Sequence, residues 1–380
     1  MKLTNRAKWG IATVAIPLVA AASLYIYAIW PEDLFPPPET GVVLDVPSSW
    51  FDRAISAWYE TKTDEPIVAI IRQDIQAEIG AISPDGKYIA TGGSHIRDVA
   101  ISSIAEKRIV LKLAIDSCTT YAVAFIPDGR YLATGRNFMG AIPHNESINI
   151  WDAQSGKLIR NIPGPAGPKM ILNNVTALAF SPDSRYIAVS YIPQPNEGDS
   201  VHVFDVATGE RIQVLHPSTD AARPLVFFDG GKHLGYEDRG GTFNVYNVQT
   251  GRRVQQISDY SVYALSPDGR YLATRSNDEQ KLMVIDRRTG RVVKVMETGK
   301  GFYRLLSYSP DGRHLAVYSD DGLLLWDLPA GKIVRELKGN PYRVSDWIGF
   351  DAEGKYFVAL CYKYVVVWDF KKLISTERNN

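Results

Sequence analysis

Short runs of apolar or alternating residues, separated by polar turns, repeat along most of the chain. Pro267-Asp268-Gly269 favours a tight turn, and Thr289-Gly290 supplies a residue that tolerates a positive φ angle. Four runs around these turns have the length and composition of β-strands: Val262–Leu265, Tyr271–Thr274, Leu282–Ile285 and Arg291–Met296. The pattern therefore predicts four strands in each copy.

The same unit can be laid over the chain seven times by aligning the residue at the tight turn. Six copies have glycine there and the third has serine: Gly86, Gly129, Ser184, Gly231, Gly269, Gly312 and Gly354. The third strand of each copy ends on a similar pair of residues: Ile101-Ser102, Trp151-Asp152, Phe204-Asp205, Tyr246-Asn247, Ile285-Asp286, Trp326-Asp327 and Trp368-Asp369.

This pattern resembles the WD40 repeat family over residues 66–376, and three copies carry the Trp-Asp pair itself. No copy has the Gly-His pair that usually precedes the first strand in that family. The resemblance implies an all-β fold, a seven-bladed β-propeller of four-stranded antiparallel blades. We expect Trp151, Trp326 and Trp368 to lie in the core between blades, and the aspartates that follow them to hold turns.

The last copy lacks an obvious fourth strand, because only Lys371–Ile374 follows its third. Residues Pro66–Arg72, however, precede the first copy and have the composition of an outer strand without a partner. We therefore predict that they pair beside Val365–Trp368 and close the ring.

An apolar segment precedes the repeats. Trp9–Trp30 contains 22 uncharged residues, which as a helix would span about 33 Å at roughly 1.5 Å per residue. Basic residues at 1–8 and acidic residues after position 30 predict a cytoplasmic N-terminus. A cleaved signal peptide with small residues at Ala20–Ala22 is the alternative. We expect a single-pass signal-anchor protein whose propeller faces the periplasm of a bacterial inner membrane.

Two further segments connect this predicted transmembrane helix to the repeats. Residues 31–47 are rich in proline and predict a semi-rigid spacer. Residues 48–61 predict an amphipathic helix with an aromatic and aliphatic face: Trp50, Phe51, Ile55, Trp58 and Tyr59. That face packs on the propeller in one interpretation, and contacts the membrane surface or a partner in the other.

Composition and motifs limit the function. Lysine plus arginine and aspartate plus glutamate both total 42, so the formal net charge is zero. The chain therefore has no overall positive charge that would favour binding to nucleic acid. Cys118 and Cys361 lie in non-adjacent copies and are interpreted as buried thiols. The chain contains no G-x-S-x-G, H-E-x-x-H or P-loop motif, and its six histidines are scattered singly. We predict no catalytic residue, no metal and no cofactor.

Three connections are longer than their counterparts: Asn137–Ser147, Pro163–Asn174 and Ile192–Ser200. Strand alternation places all three on the same face of copies two and three. They contain apolar residues, stiffening prolines and a histidine, which makes the following residues candidate protein contacts: Phe138, Met139, Ile142, Pro143, His144, Pro165, Met170, Ile171, Pro193 and Pro195. Alternatively, the loops pack on each other.

The leading hypothesis is a non-catalytic, membrane-anchored scaffold that binds membrane-associated protein partners through these loops. A related one is an accessory subunit of a membrane complex, held by Trp9–Trp30 and the 48–61 helix. The alternative is an enzyme or small-ligand sensor that uses the axial channel of the propeller.

Overall fold

The computed structural model describes most of the chain after residue 65. The described ranges are 66–73, 77–93, 98–115, 119–137, 146–164, 175–191, 201–215, 225–238, 241–258, 261–275, 281–296, 303–319, 322–337, 344–361 and 363–375. The predicted segments at 1–8, 9–30, 31–47 and 48–61 lie outside them. Within these ranges, no helix is long and apolar enough to span a membrane.

The described residues form seven antiparallel sheets of four strands, as the repeats predicted. Each sheet is one blade, with strands a to d from the inside outward. Blade 1 contains β2 (Ile79–Ile82), β3 (Tyr88–Gly92), β4 (Asp98–Ser103) and β5 (Arg108–Ala114). Blade 2 contains β6 (Thr119–Phe125), β7 (Tyr131–Asn137), β8 (Glu146–Asp152) and β9 (Leu158–Pro163). Blade 3 contains β10 (Val175–Phe180), β11 (Tyr186–Tyr191), β12 (Val201–Asp205) and β13 (Arg211–Leu215).

Blades 4 to 7 follow the same order. Blade 4 contains β14 (Val226–Phe228), β15 (His233–Glu237), β16 (Phe243–Asn247) and β17 (Arg253–Ile257). Blade 5 contains β18 (Ser261–Leu265), β19 (Tyr271–Arg275), β20 (Leu282–Asp286) and β21 (Arg291–Met296). Blade 6 contains β22 (Tyr303–Tyr308), β23 (His314–Ser319), β24 (Gly322–Asp327) and β25 (Lys332–Leu337). Blade 7 contains β26 (Val344–Phe350), β27 (Tyr356–Cys361), β28 (Tyr364–Asp369) and β1 (Ile67–Arg72).

The first strand of the propeller closes the ring. β1 pairs antiparallel with β28, from Ile67 opposite Trp368 to Arg72 opposite Tyr364, as predicted. Lys371–Ile374, the residues that follow the third strand of the last copy, belong to helix α1 (Phe370–Ser375) and not to the sheet. β1 already occupies the outer edge of β28, and the Asp369 carboxylate accepts a hydrogen bond from the Lys372 amide, N–O distance 3.1 Å, which caps the helix.

The core lies between neighbouring blades rather than within one. Six apolar clusters join blades 7 and 1, 1 and 2, 2 and 3, 3 and 4, 4 and 5, and 5 and 6. Between blades 6 and 7, the inner strands β22 and β26 contact each other. Trp151 and Trp326 belong to two of the clusters, and Trp368 is 1% exposed. The prediction that these tryptophans are core residues is confirmed, and Cys361 is buried as expected.

Candidate functional site

The two faces of the propeller differ in their connections. Strands a and b, and strands c and d, are joined on one face, which we call the turn face. Strands b and c, and successive blades, are joined on the opposite face, which we call the insertion face. Antiparallel order fixes this division, since the chain reverses direction at every connection.

A repeated hydrogen-bond pattern holds the turns between strands a and b. Ser266 Oγ donates to Asp268 and accepts from the Tyr271 amide, while Asp268 accepts from the Arg270 amide at 3.0 Å. The same serine–aspartate pair occurs in blades 1, 3 and 6. The glycines at the turn have positive φ angles, and Ser184 takes their place at φ 62°. These residues are structural.

The aspartates at the ends of the c strands hold the second set of turns, as expected. Asp152 accepts hydrogen bonds from the Ser155 amide and hydroxyl at 2.8 and 2.7 Å, and these bonds lower the pKa of its carboxyl group. Burial raises the pKa of Asp286, but hydrogen bonds from Arg270 and from the Arg288 amide outweigh it and lower the pKa. These turn-face carboxylates therefore bind neighbouring groups of the protein.

The residue pair assigned to blade 1 was wrong by one position. Tyr88 pairs with Ser103, as Tyr131 pairs with Asp152, so Ser102-Ser103 and not Ile101-Ser102 matches Trp151-Asp152. Ser103 Oγ accepts a hydrogen bond from the Glu106 amide and replaces the aspartate. Ser102 is fully buried and accepts from Gln73 Nε2 at 3.3 Å, so a polar side chain occupies the position where an apolar one was expected.

Long polar side chains of the d strands connect neighbouring blades, which the sequence analysis did not detect. Arg160 donates hydrogen bonds to the Thr208 and Ala207 backbone carbonyl oxygens at 2.7 Å, and Gln213 Nε2 donates to the Gln249 backbone carbonyl oxygen at 3.0 Å. Each residue follows the extra residue of a β-bulge in its d strand. A long polar residue four positions after the turn glycine, Arg160 after Gly156 and Gln213 after Gly209, was the sequence signal that could have revealed them.

The three long connections leave the insertion face of blades 2 and 3. The first joins Asn137 to Glu146, the second joins Pro163 to Val175, and the third joins Tyr191 to Val201. Strand topology therefore brings their six ends to one face of two adjacent blades, as expected. The candidate contact residues within them, and those of the 48–61 helix, lie outside the described residues: Phe138, Met139, Ile142, Pro143, His144, Pro165, Met170, Ile171, Pro193, Pro195, Trp50, Phe51, Ile55, Trp58 and Tyr59.

The strand residues from which these connections leave are tightly packed. Ile148, Ile162, Val175 and Tyr191 share one buried cluster between blades 2 and 3. A Cβ atom on Gly135 would lie 2.3 Å from Val175 Cγ1, so only glycine allows this approach. The loops therefore begin and end on a rigid support, which suits a binding surface.

Blade 2 also contains buried polar atoms without a hydrogen-bond partner among the described residues: Thr120 Oγ1, Asn149 Oδ1 and Asn161 Oδ1. Thr120 is fully buried and Asn149 is 4% exposed. Buried polar atoms in native proteins nearly always have a partner, which can be protein or water. The blade that carries two of the long connections therefore has hydrogen-bonding capacity that its described strands do not use.

The described side chains of the inner strands, which line the axial channel, offer no charged group for acid–base chemistry. On the inner strands β2, β6, β10, β14, β18, β22 and β26, none of the side chains that the structure describes is charged. The carboxyl groups with shifted pKa values lie instead on the turn face: Asp85, Asp152, Asp286, Asp311, Asp327 and Asp351. The described part of the channel therefore gives no support to the enzyme alternative.

A cleft of about 370 Å³ between blades 6 and 7 was not predicted. Ser309, Asp311 and His314 line it and superficially resemble a nucleophilic triad. However, Ser309 Oγ donates a hydrogen bond to Asp311 and accepts one from the His314 backbone amide, and it is not hydrogen-bonded to the imidazole ring. The same serine–aspartate pair holds turns in three other blades, so the residues serve the fold.

The comparisons with known proteins agree with the repeat pattern. Residues 157–205, which span β9 to β12, match the family model "WD domain, G-beta repeat". The chain is 28% identical over 153 residues to "WD repeat-containing protein SL1-17" of Schistosoma mansoni. The match covers 39% of this chain and 46% of that relative, less than half of its length. This protein is thus a seven-bladed propeller with a stretch similar to WD repeats at the junction of blades 2 and 3.

Proposed function

We propose that this protein is a non-catalytic scaffold that binds a protein partner across the insertion face of blades 2 and 3. One observation carries the proposal: three long connections leave one face of two adjacent blades from a single packed support. On the turn face of the same blades, the connections are short and their polar groups are used internally.

The chemistry of the loops suits a protein partner. Met139, Ile142, Met170 and Ile171 are large apolar residues in connections that are otherwise mostly polar. A few such anchors supply most of the binding energy in many interfaces. Pro165, Pro193 and Pro195 restrict the unbound chain and so reduce the entropy lost on binding.

A membrane location forms part of the proposal. The 9–30 segment anchors the protein in a bacterial inner membrane, its N-terminus stays in the cytoplasm, and the propeller faces the periplasm. The support is the uncharged Trp9–Trp30 run and the change of charge across it. Alkaline phosphatase fused after Asn380 is expected to be active, because this reporter folds only outside the cytoplasm; an inactive, intact fusion would contradict the orientation.

The binding surface is tested by comparing two variants with the wild type. In the first, residues 138–145, 165–174 and 192–200 are each replaced by a short glycine–asparagine turn. In the second, Gln154→Arg and Ala207→Arg change exposed residues on the turn face of the same blades. Proteins that copurify from membranes in mild detergent are then quantified for each.

We expect the loop variant to lose its partners at least tenfold while the turn-face variant retains them. Circular dichroism and thermal melting establish that both variants are folded. Equal partner sets in all three preparations would refute the site. Loss of partners only after deletion of residues 48–61 would instead support an accessory subunit held by that helix.

A further inference from the structure

The outermost strand of a blade has backbone groups without a ladder partner, and natural proteins usually protect such edges with charges or irregularities. In blades 1 to 6 the described outer strands are β5, β9, β13, β17, β21 and β25. Each has a β-bulge near the turn face, so equivalent positions can be compared between blades.

β21 differs from the other outer strands in its exposed side chains. Val292, Val293 and Val295 are 40%, 51% and 51% exposed. In each of the other five blades of this set, the equivalent residues include a charged or amide side chain: Lys112 in β5, Asn161 in β9, Arg211 in β13, Arg253 and Gln256 in β17, and Glu336 in β25. Among the described outer strands, only β21 has exposed aliphatic residues at all three positions.

These valines have no role in the core. Lys294 and Met296, which alternate with them, hold β21 against blade 6: Lys294 Nζ donates to the Leu328 and Pro329 carbonyl oxygens, and Met296 lies in the buried cluster of blades 5 and 6. None of the three valines belongs to a described core cluster. They are β-branched residues, which are well suited to face the side chains of an added strand.

Two cations lie at the turn-face end of this edge. Arg288 and Arg291 are exposed, and neither guanidinium group has a hydrogen bond or ion pair with a described residue. By contrast, Arg270 pairs with Asp286 at 2.9 Å, and the buried Arg287 donates to the Gly269 oxygen. The two arginines are therefore available to a partner.

We propose that β21 accepts an extended segment of a partner protein as a fifth strand of blade 5. The segment carries β-branched residues that cover Val293 and Val295, and acidic residues at the end beside Arg288 and Arg291. Backbone hydrogen bonds supply affinity in this binding mode, and alternate side chains supply specificity. A second copy fits less well, because Arg291–Met296 contains no acid to pair with the arginines. This surface is separate from the insertion face and does not depend on it.

The test uses the full-length protein in mild detergent and a fluorescent peptide of alternating valine and threonine that ends in two aspartates. Fluorescence polarisation measures its binding to the wild type and to three variants. Val293→Lys with Val295→Lys removes the apolar surface, and Arg288→Glu with Arg291→Glu reverses the charge. Val254→Lys is the matched control, because Val254 occupies the bulge position of β17 and is 54% exposed.

We expect saturable binding by the wild type and by Val254→Lys, and at least a tenfold weaker affinity for both β21 variants. A peptide methylated on alternate backbone nitrogens is expected to bind at least tenfold more weakly, because it cannot complete the ladder. No saturable binding, or equal affinity for all variants, would overturn the proposal. A dimer in light scattering that the β21 variants abolish would show that the occupant is a second copy, and would also overturn it.

Discussion

The turn face and the insertion face belong to the same strands, yet they are built differently. On the turn face, a serine–aspartate pair or its equivalent recurs from blade to blade, and the carboxylates bind nearby amides. On the insertion face of blades 2 and 3, the connections differ in length and content. Features that repeat around the ring report the requirements of the fold, and the departures in blades 2 and 3 are the basis of the proposed binding surface.

The largest expected effect concerns the glycine of a tight turn. Gly269 has φ 69°, and a Cβ atom there would lie 2.5 Å from the Phe228 ring. We expect Gly269→Ala to lower the free energy of unfolding by about 2 to 4 kcal/mol, through backbone strain and overpacking together. Urea denaturation followed by circular dichroism measures this loss.

Gly312→Ala is the matched control for this change. Gly312 has nearly the same φ angle, 68°, but the nearest atom to its Cβ would be Pro267 Cδ at 3.8 Å. We expect a loss of about 1 to 2 kcal/mol from strain alone. Equal losses in the two variants would contradict the tight packing of this blade 5 turn against Phe228 of blade 4.

A smaller effect should depend on pH. His314 is 6% exposed, and burial lowers the pKa of its imidazole below the ordinary 6.5, although Asp311 and Asp327 oppose the shift. The unfolded chain therefore takes up a proton more readily than the folded chain below about pH 6.5. Stability from this residue is present above that pH and is lost as the pH falls.

The measurement is the urea midpoint at pH 7.5 and at pH 5.5. We expect the midpoint of the wild type to fall more than that of His314→Gln, which cannot take up this proton. Identical decreases of the urea midpoint in the two proteins would show that His314 does not contribute to the pH dependence of stability. The insertion-face residues of blades 2 and 3 should not influence this difference, since His314 lies on the turn face of blade 6.

The smallest effect is a gain in stability. Ser184 adopts φ 62° where other blades have glycine. Ser184→Gly removes the cost of the left-handed conformation but increases the freedom of the unfolded chain. We expect a net stabilisation of about 0.5 kcal/mol, visible as a slightly higher melting temperature. A lower melting temperature would mean that the hydrogen bonding of the turn needs the serine side chain.

Much of the fold was predictable because each signal was local and repeated. The Pro-Asp-Gly turns, the Trp-Asp pairs and the unpaired strand at Pro66–Arg72 determined strand order and closure. The error in blade 1 arose where tertiary context overrode local pattern, because Ser102 occupies a buried position in which Gln73 satisfies its hydroxyl.

The candidate site was predictable only in part. Unequal spacing revealed the three connections and the face on which they lie, since strand alternation requires no side-chain detail. The edge of β21 was not predictable, because Arg291–Met296 alternates like any outer strand. Only the bulge between Val284 and Ile285 shows which residues face solvent, and bulges leave no reliable sequence mark.

The central claim is that partners contact the insertion face of blades 2 and 3 and not their turn face. Its most direct test is photo-crosslinking in living cells with a benzophenone amino acid placed at Met139, Met170 or Pro195, or at Gln154 or Ala207 as turn-face positions. We predict a protein adduct from each of the first three positions and none from the last two. Adducts formed only from the turn face, or equally from both faces, would contradict the account.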